Sequence, residues 1–176
     1  MKSEKQKIRV FLVDDHPIVR DGVRSYLTSH DIAVVGEASD APEALRKVGK
    51  LAPEVIVLDV NLPSMVGWEV AKHLRRLVPK SKIVAFSIHS SEEYVVRMAL
   101  SGARGYVMKS QPTSELLEAI NQVFRGGRYF PSGMSDAVLA AAPKAASKQP
   151  GVKALPPPKK TPPRGPGLKK RAPKTR

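Results

Sequence analysis

The chain has 176 residues, with 30 Lys or Arg against 16 Asp or Glu and a formal net charge of +14. It holds no cysteine, which excludes disulfide frameworks, zinc–thiolate sites and thiol nucleophiles. No apolar run reaches the roughly 18 residues a bilayer span needs, and the first residues do not lead into a signal-peptide core, so a cytoplasmic protein with no membrane partner is expected.

Short apolar runs then alternate with helical patterns along the chain. The first run, 8–13, reads as a strand and ends in Asp14-Asp15. Pro17 suits the first turn of a helix over 17–28, where its missing N–H costs nothing. A strand at 32–37 leads to a helix over 41–50, which Ser39 or Asp40 can cap, with Pro42 and Glu43 in its first turn. The strand at 54–58 is apolar without alternation, as in a parallel strand covered on both faces, and it runs into Asp59. A helix over 66–77 follows, with Trp68 near its start read as packing. Strand 82–86 runs into Ser87, helix 91–101 follows, and strand 104–108 runs into Lys109. The last helix, 112–125, gathers Leu116, Leu117, Ile120, Val123 and Phe124 on one apolar face, and Gly126-Gly127 ends it. Strict alternation with short connections predicts an α/β fold, a flavodoxin-like (βα)5 doubly wound parallel sheet.

The character changes after Phe130-Pro131. Residues 136–176 carry eleven Lys or Arg and one acid, Asp136, a net of +10, which leaves +4 (14 − 10) for residues 1–135. The reading is a domain over 1–130, a short linker over 131–142 with helical character, and a basic Pro/Lys/Ala-rich tail over 143–176. Val152, Leu155 and Leu168 are the tail's sizeable aliphatics, too few to offset the entropy of ordering it, so the tail is expected to be disordered.

The chemistry lies at the strand ends. In a doubly wound sheet the carboxyl ends of the strands line the ligand crevice. Asp14, Asp15, Asp59, Ser87 and Lys109 are therefore expected at one edge. Three carboxylates there would repel unless a cation intervenes, and Mg²⁺ prefers such oxygen ligands. Taken alone, Asp14-Asp15 could equally cap the helix at Pro17. An aspartate at this place can attack phosphorus and form an acyl phosphate, with Lys109 neutralising the transferred group and Ser87 donating to it. Lys109 taken singly reads as a surface lysine, and Tyr106 taken singly as sheet packing. His16, His30, His73 and His89 show no metal-ligand spacing; His16 reads as a helix-start residue and the others as surface or edge side chains.

From about Ile8 to Arg128 the chain resembles a response-regulator receiver domain. The resemblance rests on Val13-Asp14-Asp15-His16, Leu58-Asp59-Val60-Asn61-Leu62-Pro63 with Gly67, Phe86-Ser87, and Gly105-Tyr106-Val107-Met108-Lys109. Asp15-His16-Pro17, Val70 to Leu74 and Gly102-Ala103-Arg104-Gly105-Tyr106 are similar to the NarL/FixJ (LuxR-type) regulators. The resemblance implies phosphorylation of Asp59 by a sensor histidine kinase or phosphotransfer protein. Asp15, Asp59 and the backbone carbonyl of Asn61 would hold Mg²⁺, assisted by Asp14. Lys109 and Ser87 would bond the phosphoryl oxygens, and Tyr106 would move with Ser87. The protein would be no conventional enzyme, having at most weak autophosphatase activity, and would form a homodimer on phosphorylation.

Such regulators normally continue into a LuxR-like helix-turn-helix, which residues 143–176 cannot build. Either the tail contacts DNA phosphates without reading bases, or the chain is a truncated or frameshifted NarL-type transcriptional regulator. If about half of the tail's cations met phosphates, log K would fall against log salt with a slope near −5. Two other readings compete with regulated DNA contact. One is a stand-alone receiver that signals by protein–protein contact. The other is an Asp59-dependent phosphohydrolase, disfavoured because no acid/base carboxylate closely follows Asp59 and no cap domain encloses a substrate.

Overall fold

The computed structural model describes residues 7–132. The predicted linker beyond Ser132 and the tail over 143–176 lie outside the described residues.

Strand and helix alternate: β1 (Arg9–Val13), α1 (Pro17–Ser29), β2 (Ala33–Ala38), α2 (Ala41–Leu51), β3 (Val55–Asp59), α3 (Gly67–Leu77), β4 (Lys82–Ser87), α4 (Glu92–Leu100), β5 (Gly105–Met108) and α5 (Thr113–Phe124). The five strands are parallel, in the order β2-β1-β3-β4-β5. This is the doubly wound, flavodoxin-like arrangement. The chain reverses its direction across the sheet between β1 and β3, and a crevice opens there beyond their carboxyl ends.

The strand pleat sends alternate residues to two separate apolar layers. Phe11, Val13, Ile56, Leu58, Ile83, Ala85 and Tyr106 pack with residues of α2, α3 and α4. Val10, Leu12, Val55, Val57, Val84 and Val107 pack with α1 and α5. Every residue of β3 is buried, as its unbroken apolar run requires.

Local chemistry sets the helix ends. Pro17 opens α1, as its fixed φ favours. Asp40 rather than Ser39 caps α2: its side chain accepts from the Glu43 N–H at 2.7 Å. The Glu43 carboxylate reaches back to the Ser39 N–H at 2.8 Å, one residue before the cap, in a variant of the capping box. At the end of α5, Gly126 takes a left-handed φ of 91°; its N–H bonds Val123 O and that of Gly127 bonds Gln122 O, which closes a Schellman turn. The predicted apolar face of α5 holds for Leu116, Ile120 and Val123, with Leu117 half-buried. Phe124 departs from it: as the last residue of the helix it is 42% exposed.

The capping box carries a pH signature. Lys47 and the Ser39 N–H hold the Glu43 carboxyl at about 2, well below its ordinary 4.5. Its stabilisation is therefore complete above pH 4.5 and lost as pH falls through about 2. Thermal melts of wild type and Glu43→Gln should differ modestly at neutral pH, since solvent screens the pair, and the difference should vanish across that acid window.

Candidate functional site

Where β1 ends, the next residue, Asp14, is pinned to the neighbouring strand by its N–H, which bonds Ala38 O at 3.1 Å. Its side chain is buried, and Oδ1 accepts from the His16 N–H at 2.9 Å. Asp14 thus braces its own loop, while α1 has no side-chain cap at all, so the capping explanation of the acidic pair fails. Asp59, the last residue of β3, is buried, and its Oδ1 accepts from the Asn61 N–H at 2.9 Å. Lys109 follows β5, anchored by its own N–H to Ser87 O at 2.7 Å.

The Lys109 ammonium lies between two of the carboxylates, 2.7 Å from Asp59 Oδ2 and 2.6 Å from Asp14 Oδ2. It is not a surface lysine, since only 11% of its side chain is exposed. Burial pulls its pKa down, but the adjoining Asp14 and Asp59 carboxylates outweigh this and hold it above the usual lysine value. The Asp59 carboxyl is pushed above its ordinary value by burial, which exceeds the opposing pull of Lys109 and the Asn61 N–H.

One cation does not balance the site. Oxygens of Asp14, Asp15 and Asp59 and a ring nitrogen of His16 all lie within 4.8 Å of one another. Asp14 Oδ2 and Asp15 Oδ1 are buried and lack a hydrogen bond of acceptable geometry, even though Lys109 Nζ and His16 Nδ1 (2.7 Å) stand near them. Three carboxylates against one ammonium leave about two uncompensated negative charges in a partly desolvated crevice. An oxygen-seeking divalent cation fits that donor set.

Ser87 ends β4 fully buried, and its Oγ accepts from the His89 N–H at 3.1 Å. Tyr106 is buried in the core layer, and its hydroxyl donates to His89 O at 2.8 Å. The structure therefore brings Asp14, Asp15, Asp59, Ser87 and Lys109 to one edge of the sheet and ties Tyr106 to the loop after Ser87.

His89 is the residue that sequence reasoning passed over. Its ring nitrogen Nε2 is 2.7 Å from Asn61 Nδ2, and its ring stacks on Tyr94 of α4 at 4.0 Å. Tyr94 in turn meets the Trp68 ring edge-on at 5.9 Å, and the Arg97 guanidinium covers Trp68 at 5.0 Å. His89 thus links the loop after Asp59 to α4 and the start of α3. The usable signal was an equal offset: His89 lies two residues past Ser87, as Asn61 lies two past Asp59, on adjacent strands.

Gly67 fixes the loop between them. A Cβ there would stand 2.6 Å from Val60 Cα and 2.9 Å from Asp59 O, and the Gly67 N–H bonds Val60 O at 2.8 Å.

The response regulator receiver domain family matches residues 10–121. The transcriptional regulatory protein MctR of Rhizobium johnstonii is 38% identical over 138 residues, covering 78% of this chain and 64% of MctR. The nitrate/nitrite response regulator NarL of Escherichia coli is 36% identical over 144 residues, covering 81% of this chain and 66% of NarL. The chain thus spans about two-thirds of the length of these curated relatives. Among solved structures, a LuxR-family two-component response regulator from Aurantimonas sp. superposes with a TM-score of 0.68 at 34% identity, over 81% of this chain and all of that one. The receiver domain of a NarL regulator from Mycobacterium tuberculosis gives 0.65 at 33% identity, over 69% of this chain and 98% of that one.

Proposed function

The chain belongs to the response regulator receiver family, with NarL/LuxR-type relatives, and on that premise we propose that it is a two-component response regulator phosphorylated on Asp59. The observation that carries this reading is the buried Asp59 carboxylate, held by the Asn61 N–H on one oxygen and by Lys109 on the other.

The donor is a sensor histidine kinase or a phosphotransfer protein. A carboxylate oxygen of Asp59 attacks the phosphorus, the P–N bond to the donor imidazole breaks, and an acyl phosphate forms. Lys109 already sits at Asp59 Oδ2 and offers positive charge to the arriving phosphoryl oxygens. Asp15, Asp59 and the Asn61 carbonyl, with Asp14 beside them, would hold Mg²⁺. When bound, it would neutralise phosphoryl charge that Lys109 alone cannot balance. Ser87 would turn its hydroxyl to a phosphoryl oxygen, releasing the His89 N–H it now accepts from. Tyr106 would give up His89 O as that loop moves. Slow attack of water on phosphorus would return Asp59 and inorganic phosphate, a weak autophosphatase activity and no more.

The domain would end near residue 130, with a linker over 131–142 and the basic tail over 143–176. Its output is transcriptional regulation in the cytoplasm, with the tail touching DNA phosphates and the receiver forming a homodimer on phosphorylation. The presence of transcriptional regulators among its relatives supports the first part of this output.

Incubation with acetyl phosphate and Mg²⁺ should label the wild-type protein, and a chelator should reduce labelling at least tenfold. Asp59→Asn should take up no label in either condition; label retained by that variant would defeat the assignment.

A further inference from the structure

At the opposite edge of the sheet from Asp59, a cavity of about 100 Å³ is lined by Arg75, Lys82, Arg104 and Arg128, with Ser81 and Phe130. No carboxylate lines it. All four cationic residues are half-buried, and among the described residues no acid pairs with Arg75, Lys82 or Arg104. Elsewhere several described cations have acidic partners, as Arg24 has Glu37, Lys47 has Glu43 and Arg97 has Glu93.

Helix electrostatics explains one of the four. Arg75 lies in the last turn of α3, where a cation meets the negative helix end. Lys82 opens β4 and Arg104 precedes β5, so neither lies in the last turn of a helix. Like charges converging on one partly desolvated concavity repel one another unless an anion completes it. The space suits a single phosphate group rather than an apolar ligand.

We propose that this cavity seats one phosphate of a nucleic-acid backbone. The continuation of positive charge favours a polyanion: Arg76 and Lys80 are exposed beside it. The chain passes Phe130 at its wall and leads into residues 136–176, which carry a net of +10. A backbone phosphate seated here would be bound with base-independent, salt-sensitive affinity. The choice of nucleic acid rests on the DNA reading of the basic tail; the seat itself rests on the convergence of Arg75, Lys82 and Arg104.

The test uses the full chain and a fluorescent duplex of mixed sequence, titrated across salt. Two variants are compared with wild type: Arg75→Gln with Arg104→Gln for the cavity, and Lys169→Gln, Lys170→Gln with Arg171→Gln for the tail. The slope scales with the number of phosphates neutralised, at about 0.9 for each, so a cavity variant that loses its one phosphate should show a slope shallower by about 0.9. An unchanged slope and affinity overturns the proposal, whatever the tail variant does. A tail variant that matches wild type, beside a weakened cavity variant, defeats the tail reading and leaves the seat standing. Titration of the wild-type protein with inorganic phosphate, followed by amide NMR signals of residues 102–105, separates the sources. Shifts there with an unchanged duplex slope would make the seat one for free phosphate and overturn the nucleic-acid assignment. Should the double variant not fold, Lys82→Gln reads the same slope, with a weaker affinity and a decrease of at most about 0.9 expected.

Discussion

Replacing Lys109 by methionine should cost about 3–5 kcal/mol of stability at neutral pH in Mg²⁺-free buffer, and phosphodonor labelling should fall by at least a hundredfold. The reason is the arrangement of the buried charges. Lys109 is the only ammonium within 3 Å of both Asp14 and Asp59 among the described residues, and all three side chains are nearly enclosed. Methionine keeps much of the length and the apolar stem of lysine but leaves both carboxylates without their cation. Breaking a buried ion pair from one side costs more than removing both partners, because the orphaned charge stays desolvated. Added Mg²⁺ should restore part of the stability, since a ligand that binds only the folded state stabilises it by mass action. It should not restore labelling, because the ammonium at Asp59 Oδ2 is gone. Urea denaturation with and without Mg²⁺ measures the first effect. A Lys109→Met protein as stable as wild type in the absence of Mg²⁺ would show that solvent already screens this cluster.

Gly67→Ala should be nearly as damaging by a different route. The added methyl meets backbone on every close side: Val60 Cα at 2.6 Å, Asp59 O at 2.9 Å and Val60 O at 3.1 Å. No side chain there can rotate away, so either α3 shifts outward or the loop after Asp59 moves. Overpacking of this kind costs about 1–3 kcal/mol, and here the strain falls on Asp59 and the residue after it. The variant should therefore lose labelling out of proportion to its stability, because Asn61 and Asp59 are displaced together. Phosphorylation rates measured well below the melting temperature separate the two effects. A Gly67→Ala protein that labels at the wild-type rate would mean that the loop absorbs the methyl without moving the site.

Much of this site was legible in the residues themselves. A buried parallel strand must be apolar throughout, so the abrupt change to Asp14, Asp59, Ser87 or Lys109 marks both where a strand stops and which edge it reaches. The same logic placed Pro17 at a helix start and the glycine pair at a helix end. What stayed hidden depends on side-chain reach. The equal offset of His89 and Asn61 past their strand ends hints that their loops meet, but not that the His89 ring stacks on Tyr94 or reaches Asn61, 28 positions away in the chain. Phe124 looked like a core residue because periodicity describes a helix face and not where the helix stops, and Phe124 is its last, partly exposed residue. The cationic cavity was invisible for a related reason: Arg75, Lys82, Arg104 and Arg128 come from four separate places in the chain, and only the fold gathers them. Ser39 and Asp40 could not be told apart by sequence, since either side chain can reach a first-turn N–H; the geometry chose Asp40.

The central claim is that Asp59 alone carries the phosphoryl group. Borohydride reduces an acyl phosphate to the corresponding alcohol, so treatment of the labelled protein followed by peptide mass spectrometry marks the modified residue. Reduction confined to the peptide containing Asp59, dependent on Mg²⁺ and absent from Asp59→Asn, is the result expected. Reduction at Asp14 or Asp15, or label in a peptide without any of the three aspartates, would contradict the account.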